Sequence, residues 1–421
     1  MAGKDPGKAI ADELHLYVRA VMPGGEVVPV GRLLGRNLKH PGSREGFFRY
    51  DEGYLARPEA YPLDPVHLPL ADRVYPAPDR ESGLHGVFQD SLPDGWGRII
   101  LAKRAGIHRQ RFAGAHLLAA LGNGGLGRLL YLEAERPRRP SPADASISFA
   151  EIARVLAEAA RHENDLDTEA AELRHLLACG SSAGGARPKV LTARGGRHWL
   201  AKFSSIRDPH PDLFVALEEA GLKLAGLAGL EVPAIERVEV GGRSLLLVER
   251  FDTTPHGGRN ALVSMRTLTG AEDPFVVSYG EMARILRRFS FEPERDVEML
   301  FRQLAVNLHL QNTDDHLQNF ACLHTGEGWR LSPAYDIVPN IFQTEHILLV
   351  NGKHREVEYV DLVAEGRRFG LSSRQLARLY DQARQGLARW REVFEECRVP
   401  MEHTQALRAS IDRKWRLLAR S

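Results

Sequence analysis

The chain has only three cysteines in 421 residues, Cys179, Cys322 and Cys397, far apart and without a C-x-x-C pair. That excludes a disulfide framework and a structural zinc site of the usual spacing, and suits a reducing compartment. No window approaches 18 consecutive apolar residues, and the opening MAGKDPGKAIADEL has no apolar export segment. Membrane spanning and secretion are therefore not expected, and the expected location is the cytoplasm. Charge of one sign is also lacking: 56 Lys and Arg face 55 Asp and Glu, a net +1. No global field points to nucleic acid or an anionic membrane, though a local patch stays open. There is no internal repeat, no G-K-[ST] phosphate loop and no G-x-G-x-x-G. What is there is ordinary for a folded protein, 43% apolar and 26% charged. The length implies two to three domains.

Residues 13–135 read as short strands broken by Gly and Pro. LHLYVRAV and EVVPVGRL alternate around Pro23-Gly24-Gly25, and FFRYDEGYL and AYPLDPVHLPL follow. GWGRIILAKRAG reads as a helix that closes this part, before AHLLAALGNGGLGRLLYL. The Pro/Arg/Ser run ERPRRPSPADAS has no hydrophobic period and marks the domain boundary. We expect an N-terminal mixed β/α domain over 1–135, a linker over 136–147, a β-rich lobe over 148–255 and a helical lobe over 256–421. In the β-rich lobe, a helix near 149–160 precedes GSSAGGARPK (180–189). KVLTA and HWLAKF then flank the turn Arg194-Gly195-Gly196, followed by a helix over 212–228 and the pair AIERVEV and GGRSLLLVERF.

The chemistry concentrates in LHLQNTDDHLQNFACLHTGEGWRLSPAYDIVP (308–339). A helix leads into it, with Val297, Leu300, Phe301, Leu304 and Leu308 on one face and Asp296 as its expected cap. FACLHT and WRLS form a hairpin around Gly326-Glu327-Gly328, which should bring Asn319 near Asp336. Asp314 precedes Asn319 by five residues, the gap of the kinase catalytic loop D-x-x-x-x-N. Phosphoryl transfer needs positioned metal ions and a carboxylate orienting the hydroxyl more than it needs covalent help. Asp314 fits that base, with Asp315 beside it as the alternative, and Asn319 and Asp336 offer hard oxygens to Mg²⁺. The bland alternative is a solvated loop whose Asp and Asn side chains cap turns.

Upstream, Ser182, Gly184, Gly185 and Lys189 lie in a stretch that can present N–H groups and charge to phosphate. Lys202 sits on an apolar strand, where a lysine needs an anionic partner, and Glu218 on the next helix is the natural one. Glu249 and Phe251 end SLLLVERF where a kinase has its adenine-binding hinge. The order glycine-rich loop, lysine, glutamate, hinge, Asp, Asn, Asp is the kinase order. His309 and His316 with Asp314 and Asp315 could suggest a metal hydrolase, but the two histidines are seven apart and no second His-rich segment exists. Phe88 and Trp96 read as packing aromatics, and Arg136, Arg138 and Arg139 as a solvated linker.

These pieces resemble the HipA-type toxin kinase family, the Ser/Thr kinase part of bacterial type II toxin–antitoxin pairs. The resemblance rests on GRLLGR, FQDSLPDGWGRIILA and GLGRLLYL, then SAGGARPK, WLAKF, LEEAGLKLAGLAGLEVP, LLVERFD, NTDDHLQNF and LSPAYDIVP, and last LLVNGK and FGLS. It implies an α+β, two-lobed protein-kinase-like fold with a mostly helical C-lobe, and use of ATP and Mg²⁺. It makes Asp314 the base and Asn319 and Asp336 the metal ligands, with Lys202 on the ATP phosphates and the backbone of Glu249 and Phe251 on adenine. Ser182, with Ser181 as the alternative, falls at the family's autophosphorylated loop serine. It further implies a protein substrate, a separate small helix-turn-helix antitoxin, and DNA reached only through that antitoxin. The better-known members phosphorylate an aminoacyl-tRNA synthetase. Gln318 and Ala321 stand where Lys and Ser are usual, both tolerable changes, while ALVSMRTLTGAEDPFVVSYGEMARIL replaces the usual segment after the hinge and resembles a divergent branch. A small-molecule kinase and a catalytically weak co-repressor are the competing readings.

Overall fold

A computed structural model describes residues 13–37, 43–79, 81–93, 98, 101–102, 114–134, 147–148, 189–204, 208–210, 212–240 and 243–420. Linker residues 136–146, the helix expected near 149–160, Trp96 and GSSAGGARP (180–188) lie outside these residues, as does most of the GWGRIILAKRAG helix.

The alternating N-terminal runs form strands β1 (Glu13–Val21), β2 (Val27–Asn37) and β3 (Arg44–Tyr50). A single helical turn α1 (Glu52–Leu55), capped by the Asp51 carboxylate, leads to β4 (Val74–Pro76). Helices α2 (Gly86–Gln89) and α3 (Gly114–Leu121) and strand β5 (Leu129–Leu132) complete this part. The sheet is antiparallel, in the order β4-β3-β2-β1-β5. Leu16, Val18 and Ala20 of β1 all face its core, as a period of two requires.

A second sheet follows. It runs β6 (Ile147–Ser148), β7 (Lys189–Arg194), β8 (Arg197–Phe203), β10 (Arg243–Glu249), β9 (Ile235–Val240) across, with helix α4 (Leu213–Leu227) inserted after β8 in sequence. The β7–β8 turn is the expected Gly195-Gly196, both at positive φ (59° and 76°), the requirement of a two-residue primed turn. The unbroken apolar run of β10 is buried on both faces. Leu245 and Leu247 join Trp199, Ala201 and Phe203 in a small cluster, while Leu246 and Val248 enter the main core on the other face.

The rest is mostly helical. Strand β11 (Ala261–Ser264) pairs with the expected hairpin β12 (Ala321–His324) and β13 (Trp329–Leu331). Around it stand α5 (Met265–Thr269), α6 (Tyr279–Phe289), α7 (Pro293–Leu310), α8 (Tyr359–Arg368), α9 (Ser373–Leu387), α10 (Trp390–Glu396) and α11 (Gln405–Leu417). The predicted apolar face of α7 is fully inside, each of its five residues at most 1% exposed. Its start corrects the sequence reading: Pro293, pre-set for the first helical position, begins it a turn before Asp296. Asp296 is instead buried in the first turn, accepting from the Leu331 amide (2.6 Å) and the Ser290 hydroxyl (2.7 Å) and so tying β13 to the helix.

Candidate active site

The central strand β8 carries Lys202 between Lys189 of β7 and Leu246 of β10 in register. Its side chain, 13% exposed, donates to Glu218 of α4 and, at 2.8 Å, to Asp336 Oδ1. Burial by itself would lower this ammonium, but the Asp336 and Glu218 carboxylates outweigh it and hold it above its ordinary value. Asp336 is desolvated too, yet Lys202 and then Lys189 keep its carboxyl well below the usual range. Glu218 goes the other way, because burial raises it more than Lys202 lowers it. One ammonium cannot serve both carboxylates equally, and Asp336, its side chain 30% exposed, stays ionised.

The backbone delivers these groups by visible means. At its C-terminus α7 ends on Gln311 in the left-handed region (φ 56°), which turns the chain into Asn312-Thr313-Asp314-Asp315-His316. Gln311 and Asn340 exchange hydrogen bonds at 2.8 Å, and Asn312 Oδ1 accepts from the Val338 amide. Across the β12–β13 hairpin, the Tyr335 hydroxyl donates to the Gln318 carbonyl (2.6 Å), joining the residues just before Asn319 and Asp336. Asp336 has φ 56°, an unfavoured conformation for a residue with a Cβ and of a kind that clusters at functional sites.

Within the loop, Asn319 Nδ2 donates to the Asp314 carbonyl (2.8 Å), which turns Oδ1 away from that bond. A carboxylate and an amide oxygen are the hard donors that suit Mg²⁺, an ion that takes few protein ligands and keeps phosphate and water oxygens. Among the described residues no three His, Cys, Asp or Glu side chains form a metal cluster. His316 caps the turn Leu317–Asn319: its Nδ1 accepts from the Gln318 amide, so the proton sits on Nε2, 3.8 Å from Asp314 Oδ1. Burial lowers this imidazole and keeps it neutral.

Asp315 points the opposite way from the site. Wholly buried, it accepts from the Tyr279 hydroxyl (2.7 Å), the Ile347 amide (2.8 Å) and His346 Nδ1 (3.2 Å). His309 is likewise interior, its Nε2 on the Tyr380 hydroxyl. Glu249 and Phe251 sit at the end of β10, where the Glu249 amide donates to the Ala234 carbonyl and the Phe251 ring lies 5.6 Å from that of Tyr335. The structure thus brings together Lys189, Lys202, Glu218, Asp336 and, across the hairpin, Asn319 and Asp314. Ser181, Ser182, Gly184 and Gly185 lie outside the described residues. Sequence reasoning missed the roles of His316 and Arg266, and the Nη1 of Arg266 lies 3.4 Å from Gln318 Oε1. The turn-capping position of His316 was a readable signal, while the Arg266 contact spans 52 residues and left none.

Two family models match the chain, the HipA N-terminal domain over residues 26–132 and the HipA-like C-terminal domain over 181–390. The chain belongs to the HipA family. Its sequence is similar to Toxin YjjJ of Escherichia coli K12, 25% identical over 197 residues, which is 43% of this chain and 43% of that protein. Y4mE of Sinorhizobium fredii is 28% identical over 130 residues, 28% of this chain and 31% of that protein. The matches therefore span less than half the length of either relative. HipA of Shewanella oneidensis, solved with HipB and its operator DNA, superposes with a TM-score of 0.67 at 16% identity, over 94% of this chain and 97% of that one. At that identity the likeness is one of fold, and this HipA-family chain has the two-lobed, kinase-like α+β fold. Among the described residues no helix is long and apolar enough to cross a membrane.

Proposed function

We propose that this HipA-family chain is an ATP-dependent protein serine/threonine kinase and the toxin of a type II toxin–antitoxin pair. The observation that carries the reading is Lys202 bonded to both Glu218 and Asp336, from three elements far apart in sequence. Lys202 and Lys189 meet the ATP phosphates, and the backbone at Glu249 and Phe251 receives adenine. Asn319 Oδ1 and Asp336 would hold Mg²⁺, which would supply positive charge to the phosphates. Asp314 takes the proton of the acceptor hydroxyl as its oxygen bonds to the γ-phosphorus and the bond to the β-phosphate oxygen breaks, releasing ADP. Neutral His316 steadies Asp314. Asp315, its oxygens engaged in the interior, is not the base.

The acceptors we assign are a serine of a protein, with an aminoacyl-tRNA synthetase as the target class the resemblance offers, and Ser182 of the chain's own glycine-rich loop, or its neighbour Ser181. Phosphate there adds about two negative charges and strong acceptor oxygens, enough to expel the loop from the nucleotide site. A separate small helix-turn-helix antitoxin is the expected partner and the route to DNA.

Purified protein with Mg²⁺ and γ-labelled ATP should label itself, with the phosphate mapped to residues 181–182 by mass spectrometry. Asp336→Asn should abolish the label, and full labelling of that variant would overturn the site. Labelling only of an added metabolite would overturn the protein-kinase reading.

A further inference from the structure

Beyond the site stands an arrangement that no kinase motif accounts for. Asp90 follows α2 within FQDSL, in the sheet β1–β5 part of the chain. Its carboxylate reaches across 174 residues of sequence: Oδ2 accepts from the Ser264 amide (2.7 Å) and Oδ1 from the Ser264 hydroxyl (2.7 Å). Oδ2 also accepts from the Thr267 hydroxyl (2.8 Å). Ser264 in turn caps α5, its hydroxyl accepting from the Thr267 amide. Helix α5 is thereby tied to the N-terminal part at its first turn. Its other side faces the catalytic loop, where the Met265 amide donates to the Phe320 carbonyl at 2.8 Å.

A five-residue helix is too short to hold its own shape, so these outside bonds determine where it points. Met265, Thr267 and Leu268 are buried, and Arg266 between them is exposed. Its guanidinium lies on Gln318, the residue before Asn319. The loop beneath it carries Asp314, and Asp336 stands across the hairpin. A phosphoryl group in transit between those two carboxylates spreads negative charge over its outer oxygens, and a cation placed in advance on that side stabilises it most. Lys202 and Lys189 are supplied separately, by the paired strands β7 and β8.

We propose that Arg266 is the cation that engages the transferring phosphoryl group, and that Asp90 is a positioning residue that aims it through α5. The inference rests on the phosphoryl-transfer reading of the site. The N-terminal part thus reaches into catalysis without touching substrate.

The test uses the full chain and compares binding of Mg-ADP with Mg-ADP plus tetrafluoroaluminate, a stand-in for the phosphoryl group in transit. The wild type should bind the second more tightly. R266A should shrink that advantage by about 100-fold while leaving Mg-ADP affinity unchanged. R266A with Q318K, which returns a cation to the same place from the loop itself, should recover much of it. D90A should reproduce the R266A loss and add nothing to it in the double variant. Thr267→Val keeps the packing while removing one of the three bonds, and should show a smaller loss in the same direction should D90A fold poorly. An R266A that keeps the wild-type advantage overturns the role of Arg266. A D90A or Thr267→Val that lowers stability but keeps the advantage overturns the role of Asp90. A wild type that fails to tell the two ligands apart removes the phosphoryl-transfer reading, and this inference with it.

Discussion

Asp314 and Asp315 are adjacent and chemically identical, yet their surroundings differ. Asp314 lies beside neutral His316 at the loop that holds Asn319, while Asp315 turns inward to Tyr279, His346 and the Ile347 amide. Asp314→Asn should therefore change unfolding free energy by less than about 0.5 kcal/mol and cut phosphoryl transfer by about 100-fold or more. Asp315→Ala should behave in reverse, costing about 3 kcal/mol because it leaves several buried donors without an acceptor. Denaturant titration beside a labelling assay separates the two. Sequence pattern supplied the pair, and only burial tells them apart.

Elements bring the groups together through close backbone contact. Helix α4 lies so near the segment after Asp336 that a Cβ on Gly221 would sit 2.0 Å from the Ile337 carbonyl oxygen. Gly221→Ala should cost about 1–3 kcal/mol by overpacking. It should also weaken the ATP-induced rise in melting temperature, since it moves Glu218 away from Lys202 and Asp336. In the helical lobe, Lys414 of α11 stands 3.5 Å from His346 Nε2, behind Asp315. Burial pushes its ammonium down to about 8 from an ordinary 10.5, against the pull of Asp315. Between those values the unfolded chain binds more protons than the native one, so stability from this residue rises as pH climbs through that window. Lys414→Met should remove that rise and raise stability at pH 7, as measured by urea midpoints between pH 7 and 9.5.

At the scale of the whole molecule, the N-terminal sheet is joined to the helical lobe by buried charge rather than by apolar contact alone. Arg128 donates to the carbonyls of Arg259 and His324, and Arg259 to those of Asn123, Gly125 and Gly127. Asp252 pairs with Arg250 at 2.7 Å and accepts from the Gly127 amide. Asp252→Ala strands the buried Arg250 and should cost about 3–5 kcal/mol. Scanning calorimetry should show one transition moving down as a whole. A wild type with two separate transitions would mean that the N-terminal part unfolds on its own.

Periodicity in the sequence was enough for the strands β1, β2, β8 and β10, for the face of α7 and for the β12–β13 hairpin. Each rests on neighbours two to four residues apart or on a glycine turn, and local rules act at that range. The spacing of Asp314, Asn319 and Asp336 was legible for the same reason. The sequence could not say that Pro293 rather than Asp296 opens α7, because Asp296 is claimed by the Leu331 amide 35 residues on. Nor could it pair Asp90 with Ser264, or place Arg266 on Gln318. Those bonds join residues 52 to 174 positions apart, and only the packing of whole elements brings such groups within 3.5 Å. The chemistry available was set by residue type and short spacing, and which groups face the site and which serve the interior was set by the fold.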